Sequence, residues 1–257
     1  MDDVKIVGTF DVTEMVFLAF VLFFLALLFY LRREDRREGY PLEDEVTGRI
    51  DIPGGVLQTA SPKTFLMPFG RPAVTTPTKG REKVDVAGVR TFRSPGAPYA
   101  PTGNPLVDGI GPAAWAERAR HPDLDAEGRN RIVPIGLVAD HIAVNRRDPD
   151  PRGMKVIAAD GAVAGTITDI WVDRAEHVVR YLEVDTGSGK VLAPMGMSKV
   201  HRGRGLVEID AINAADFAGV PTTAKADEIS LYEEERIVAY YGGGYLYANS
   251  ARQEPLI

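Results

Sequence analysis

From Met15 to Leu31 the chain runs through 17 residues, MVFLAFVLFFLALLFYL, without a charge. Taken back to Val12, and so including Glu14, the stretch covers 20 residues. At ~1.5 Å per residue a helix of that length is ~30 Å long, the thickness of a bilayer's hydrocarbon layer. Phenylalanines and leucines point in every direction around it, as they do where lipid surrounds a helix. Two other readings fit less well. A helix buried in a soluble core rarely has an uninterrupted run of this length. A cleaved signal peptide opens with basic residues and closes at a small-x-small site, whereas the leading segment MDDVKIVGTFDVTE is acidic and no such site follows the run. The expectation is a permanent single-pass anchor over residues 12–31.

Charge sets which way the anchor faces. Asp2, Asp3, Asp11 and Glu14 stand against Lys5 before the run, while Arg32, Arg33, Arg36 and Arg37 follow it in LRREDRR. The positive-inside bias places the carboxyl side in the cytoplasm and residues 1–11 on the outer side. These four arginines, with Tyr40, are also candidates for contact with anionic lipid headgroups, each arginine worth ~1 kcal/mol near the surface. Topogenesis alone accounts for the arginines equally well.

The rest of the 257 residues has ordinary globular composition, 45% hydrophobic and 26% charged, which excludes a wholly disordered or collagenous chain. With 30 basic and 36 acidic residues the net charge is -6, so a nucleic-acid partner is not expected. The absence of cysteine removes disulfides, thiolate zinc sites, iron–sulfur clusters and cysteine nucleophiles at once.

Between Gly39 and Pro134 twelve prolines recur, among them Pro62, Pro68, Pro95 and Pro122, and break any long helix or central strand. The segment 32–134 is therefore expected to be extended and loop-rich, lying against other surfaces through residues such as Tyr40, Phe65, Leu66, Met67, Phe69 and Trp115. From Ile135 the texture changes to short β-branched runs with turn signals, such as VAGTITDIWVD and HVVRYLEVDTGSGKVLAPM. Five or six short antiparallel strands in 135–257 point to a small barrel or sandwich. Asp227 to Tyr240 reads as an amphipathic helix that Gly242 to Gly244 would terminate. The fold class expected is thus one N-terminal transmembrane helix, an extended proline-rich segment, and a mainly β cytoplasmic domain with a C-terminal helix.

No phosphate-binding glycine loop, zinc-protease, serine-hydrolase or calcium-loop motif is present, and His121, His141, His177 and His201 are scattered, so no metal site is expected. Titratable groups crowd one hairpin: Asp169, Asp173, Arg174, Glu176, His177 and Arg180. Carboxylates close to one another and to arginines titrate as a coupled set, as a proton relay requires, although charged hairpin turns are common. A second acidic patch, Asp123, Asp125 and Glu127 with Arg129 and Arg131, lies in HPDLDAEGRNR.

Five phrases resemble, in order, one known family. YLRREDRREGYPLE (Tyr30 to Glu43), PKTFLMPFGR (Pro62 to Arg71), APTGNPLVDGIGPAAWAER (Ala100 to Arg118), DIWVDRAEHVVRYLEV (Asp169 to Val184) and EEERIVAYYGGGYLYA (Glu233 to Ala248) are similar to stretches of the H subunit of the purple-bacterial photosynthetic reaction centre. The resemblance covers essentially the whole chain. It implies a helix beside the L and M subunits in the bacterial inner (intracytoplasmic, chromatophore) membrane. It also implies a cytoplasmic PRC-type antiparallel β-barrel capping the quinone-bearing face of those subunits, with the proline-rich segment lying on them.

Such a subunit is not an enzyme by itself and binds no cofactor of its own. Bacteriochlorophyll, bacteriopheophytin, quinones, non-haem iron and a carotenoid belong to L and M. Membrane lipids, a cytochrome c subunit and a light-harvesting 1 ring are further candidate neighbours. The implied work is assembly, shielding and proton delivery to the secondary quinone. Residue by residue, Glu176 falls on the family's glutamate near that quinone, with Asp173 and Arg180 on its associated aspartate and arginine. Asp125 matches an aspartate at the family's proton-uptake surface, where two histidines of some members are replaced by Glu127 and Arg129. Asp125 with Glu127, or His121 nearby, would have to take their place, because arginine stays charged and a solvated glutamate titrates near ~4. The alternatives are a purely structural assembly cap, or a membrane-tethered β-barrel adaptor unrelated to photosynthesis.

Overall fold

The computed structural model describes residues 5–7, 10–37, 42–44, 46–51, 60–77 and 85–252. It divides into two compact units, Met1–Val84 with Phe92–Ala97, and Asp85–Thr91 with Pro98–Ile257.

In the first unit a short antiparallel pair, β1 (Lys5–Val7) and β2 (Phe10–Asp11), leads into helix α1 (Val12–Glu34). Asp11 caps the helix by accepting the Glu14 amide at 2.7 Å, satisfying one of the orphan donors of the first turn. No α1 residue is buried, so its apolar surface is left for surroundings other than this chain. The helix continues past the uncharged run through Arg32, Arg33 and Glu34, where long side chains with good helix propensity keep it intact, and a 3-10 turn follows over Asp35–Arg37. Two hairpins complete the unit: β3 (Leu42–Glu43) with β4 (Ile50–Asp51), and β5 (Lys63–Phe65) with β6 (Val74–Thr76). Arg37 is turned into the protein and donates to the carbonyls of Ser61 at 2.6 Å and Thr76 at 2.7 Å. Tyr40 lies outside the described residues.

The second unit opens with the hairpin β7 (Gly88–Arg90) and β8 (Tyr99–Pro101) and the single-turn helix α2 (Pro105–Asp108). Its centre is a seven-stranded sheet: β9 (Ile132–Pro134), β10 (Lys155–Ala158), β11 (Val163–Asp173), β12 (Val178–Asp185), β13 (Lys190–Pro194), β14 (Lys199–His201) and β15 (Leu206–Ile209). The order is β13-β12-β11-β10-β15-β14, with β9 on the far end of β11. The strand count exceeds the sequence expectation by β9, which lies in the proline-rich stretch. One pair, β10 with β15, is parallel, because the β14–β15 hairpin returns beside β10 in that direction. One core is shared by all these strands except β14, whose Val200 packs against its margin. Ile170, Trp171, Val172 and Asp173 are all buried, so this end of β11 is covered on both faces and not half-exposed as simple alternation suggests.

Helix α3 (Leu231–Tyr247) begins at a capping box in which Ser230 accepts the Glu233 amide and Glu233 accepts the Ser230 amide at 2.7 Å. Gly242 to Gly244 do not end this helix. They lie inside it, and at two of them the packing leaves no room for a side chain: a Cβ on Gly243 would stand 2.5 Å from the Ala113 Cβ, and one on Gly244 would run into the Ala211 carbonyl and Ile212. Close approach, and not helix termination, is what Gly243 and Gly244 supply.

Candidate functional site

The site begins with a carboxylate that has been taken out of water. Asp173, the last residue of β11, is 1% exposed, and a buried charge must be paired and hydrogen-bonded. Its Oδ1 accepts the amides of Ala175 at 2.9 Å and Glu176 at 3.0 Å, closing the turn toward β12. Its Oδ2 accepts from Arg131 Nε at 2.8 Å. Arg131 precedes β9, and the pairing of Ile132 with Asp173 across β9 and β11 delivers it to this position. The other guanidinium nitrogens reach Asp123 Oδ2, at 3.3 Å, and Glu176 Oε1. One arginine therefore joins the two acidic patches that the sequence shows as separate. Burial works against its charge, but Asp173 and Glu176 outweigh that penalty and raise its pKa, so it remains a fixed cation.

Beside this cluster, Tyr181 of β12 donates its hydroxyl to Glu234 Oε2 at 3.0 Å, and Arg180 Nη2 stands 3.5 Å from the same oxygen. Glu234 lies in the first turn of α3. The segment before that helix is tied to the acidic loop through Asn130 Nδ2 on Glu228 at 2.9 Å and the Leu231 amide on the His121 carbonyl at 3.2 Å. Burial pushes the pKa of Glu234 up, against the opposing pull of the Tyr181 hydroxyl and Arg180. Burial also raises the Tyr181 phenol, which therefore stays protonated as the donor.

Asp123, Arg131, Asp173, Arg180, Tyr181 and Glu234 line one cleft of about 330 Å³. At ~30 Å³ per water, such a space has room for roughly ten molecules, each able to bridge polar groups. Asp173 and Arg180 thus share the cleft, and Glu176, 57% exposed, joins it through Arg131 from the solvent side.

Asp125 and Glu127 are placed differently and do not line the cleft. Asp125 is buried and holds its own loop, accepting the amides of Glu127 at 3.1 Å and Arg129 at 2.8 Å on Oδ1, and Arg129 Nε at 2.9 Å on Oδ2. Burial disfavours its charge, yet the Arg129 amide and guanidinium prevail and keep its pKa below the usual aspartate value. Glu127 is exposed and pairs with Arg129 at 2.9 Å. His177, at the tip of the hairpin with φ 57°, borders a separate apolar cavity of about 440 Å³ among Ile142, Val144, Ile170 and Leu182. Asp169 accepts the following amide, of Ile170, at 2.8 Å and stands outside the cleft. Among the described residues no group of three His, Asp or Glu side chains could hold a metal ion.

Sequence reasoning missed Glu234 and Tyr181. Glu234 precedes Ile237 and Tyr241 by three and seven residues, which sets it on the buried stripe of its helix. That register was the available signal, hidden by the run of three glutamates that reads as an acidic helix start.

Two family models match the chain. One, described as photosynthetic reaction centre, H-chain N-terminal region, covers residues 4–137. The other, described as PRC-barrel domain, covers residues 144–215. Asp123 and Arg131 fall in the first match, Asp173, Glu176, Arg180 and Tyr181 in the second, and Glu234 beyond both.

Proposed function

The chain belongs to the photosynthetic reaction centre H-chain family, and on that premise we propose that it caps the cytoplasmic, quinone-bearing side of the L and M subunits and conducts protons toward the secondary quinone. In this reading residues 12–31 cross the inner membrane with the amino terminus in the periplasm, and residues 32–134 lie on the partner subunits. The barrel domain forms the cap. Pigments, quinones and iron reside in the partners, and the chain itself catalyses nothing.

The observation that carries the proposal is the gathering of three carboxylates on one guanidinium, beside a fourth carboxylate whose burial favours its protonated form. A relay needs groups that exchange protons at hydrogen-bond reach, directly or through one water. Arg131 keeps its proton and binds Asp173. Glu176, on the solvent side, is the entry residue of the proposed path. Glu234 is the inner group able to hold one. Asp125 keeps the uptake loop in shape while Glu127 meets the solvent. The secondary quinone, when bound in the partners, consumes the protons delivered.

The purely structural reading draws on the same residues, since Asp173 and Asp125 both fasten backbone turns. Glu176→Gln separates the two, because it preserves shape and removes titration. Slower light-driven proton uptake at the second electron transfer, in an intact complex, supports conduction. Unchanged kinetics would leave only the cap.

A further inference from the structure

The hairpin of β5 and β6 carries a turn of sequence FLMPFG, and its large side chains are left largely exposed among the described residues. Phe65, Leu66, Met67 and Phe69 are 45%, 87%, 38% and 53% exposed, and Val74, paired with Phe65 across the hairpin, is 50% exposed. Phe69 also adopts φ 58°, a left-handed conformation that a bulky residue rarely takes. A phenylalanine held in that conformation and half exposed points to a contact outside the described chain.

The attachment of this hairpin to α1 shows what lies beside it. At its base, Ser61 accepts from Arg33 at 3.1 Å and from Arg37 at 2.6 Å, and the Thr76 hydroxyl donates to the Arg37 carbonyl at 2.8 Å. Two residues on from Ser61, Lys63 bonds Glu34 at 2.6 Å and lies 5.7 Å from the centre of the Tyr30 ring. The points of contact have moved from Arg33 and Arg37 to Tyr30 and Glu34, about three helix residues or ~4.5 Å toward the apolar run. At the same axial advance of ~2.2 Å per residue, less than the ~3.3 Å strand rise because the strand is inclined, Phe65 and Leu66 lie a further ~4.5–7 Å in the same direction. That is the level of the uncharged turns of α1, with Lys63 and the arginines behind them at headgroup height. An apolar wedge under a basic collar is the pattern of a segment seated in a membrane interface.

We infer that the turn of residues 65–69, as an exception within the segment proposed to lie on the partner subunits, inserts into the cytoplasmic leaflet beside α1, as a second, interfacial contact with the lipid bilayer. Four large apolar side chains leave water there, with the Lys63–Glu34 pair behind them at headgroup height. The inference rests on α1 crossing the membrane and is independent of the proton pathway.

The test uses the assembled reaction-centre complex in nanodiscs of phosphatidylcholine and phosphatidylglycerol. The chain contains no cysteine, so Leu66→Cys, and Phe65→Cys as a second site, introduce single nitroxide labels, with signal from the partners' cysteines subtracted using the unsubstituted complex. Val163→Cys, at a position 54% exposed on β11, serves as the aqueous control. The ratio of collision rates with oxygen and with a water-soluble nickel chelate is expected to be at least threefold higher at 65 and 66 than at 163. A ratio equal to the control would place the turn in water. Low collision rates with both reagents would mean that another protein covers it. Either result overturns the inference, and neither bears on proton uptake.

Discussion

Arg131 Nε donates to Asp173 Oδ2 at 2.8 Å, a bond that spans 42 residues of sequence and holds a carboxylate that is 1% exposed. A buried carboxylate tolerates the loss of its counter-ion poorly.

Arg131→Met keeps an unbranched apolar stem and removes the guanidinium with its charge. Breaking a fully buried ion pair costs ~3–5 kcal/mol, and the partial exposure of Arg131 lowers the expected loss to about 2–3 kcal/mol. Denaturant unfolding of the chain in detergent measures it. A loss below about 0.5 kcal/mol would mean that solvent already compensates Asp173.

Glu234 gives stability a particular dependence on pH. Its native pKa lies above its ordinary value of 4.5, so the native state holds this proton more tightly than the unfolded chain does. The favourable contribution is full below the ordinary glutamate range and is lost as pH rises through the native value. Glu234→Gln still accepts from Tyr181 but does not titrate. The difference in melting temperature, wild type minus variant, is expected to fall as pH climbs from below 4.5 toward neutrality. A flat difference contradicts the assignment.

Asp125 behaves with the opposite sign. Its native pKa is lowered, so its contribution is present above the ordinary aspartate value of 3.8 and disappears as pH falls through the native one. Asp125→Asn is expected to cost about 1–3 kcal/mol at pH 7, for three hydrogen bonds to an ionised acceptor. Glu127→Gln, at an exposed position, should stay within about 0.5 kcal/mol. Equal effects from the two would refute the division of labour within this loop.

The glycine triplet of α3 separates into two kinds of position. Gly244→Ala places a methyl group against the Ala211 carbonyl and Ile212, and overpacking of this kind costs about 1–3 kcal/mol. At Gly242 the nearest atom to an added Cβ is the Pro112 carbonyl oxygen at 3.4 Å, so Gly242→Ala is expected to be neutral or to stabilise by up to about 1 kcal/mol through helix propensity. Thermal melts of the two variants should move apart, and a common shift would show that the helix ends before the triplet.

The apolar helix was legible because its signal is local: length and absence of charge are read along the chain. The hairpin carrying Asp173, Glu176 and Arg180 was legible for the same reason, as was the acidic loop around Asp125. What could not be read was their meeting, since Arg131 reaches Asp173 only through the pairing of β9 with β11, a contact that periodicity does not encode. Propensity misled in one place, where three consecutive glycines looked like a helix stop. The close approach of Ala113 and Ile212 reverses that reading, and it depends on residues more than thirty positions distant for Ile212 and far more for Ala113.

The cation that steadies Asp173 is drawn from the stretch matched by the H-chain model, whereas the aspartate itself belongs to the stretch matched by the barrel model. The seam between the two family descriptions is therefore not a physical joint. A polypeptide started at residue 144 would inherit an inward-facing anion stripped of its guanidinium, together with an unpaired end of β11 where Ile132 to Pro134 ought to lie. Any minimal version of this domain has to begin upstream of Asp123.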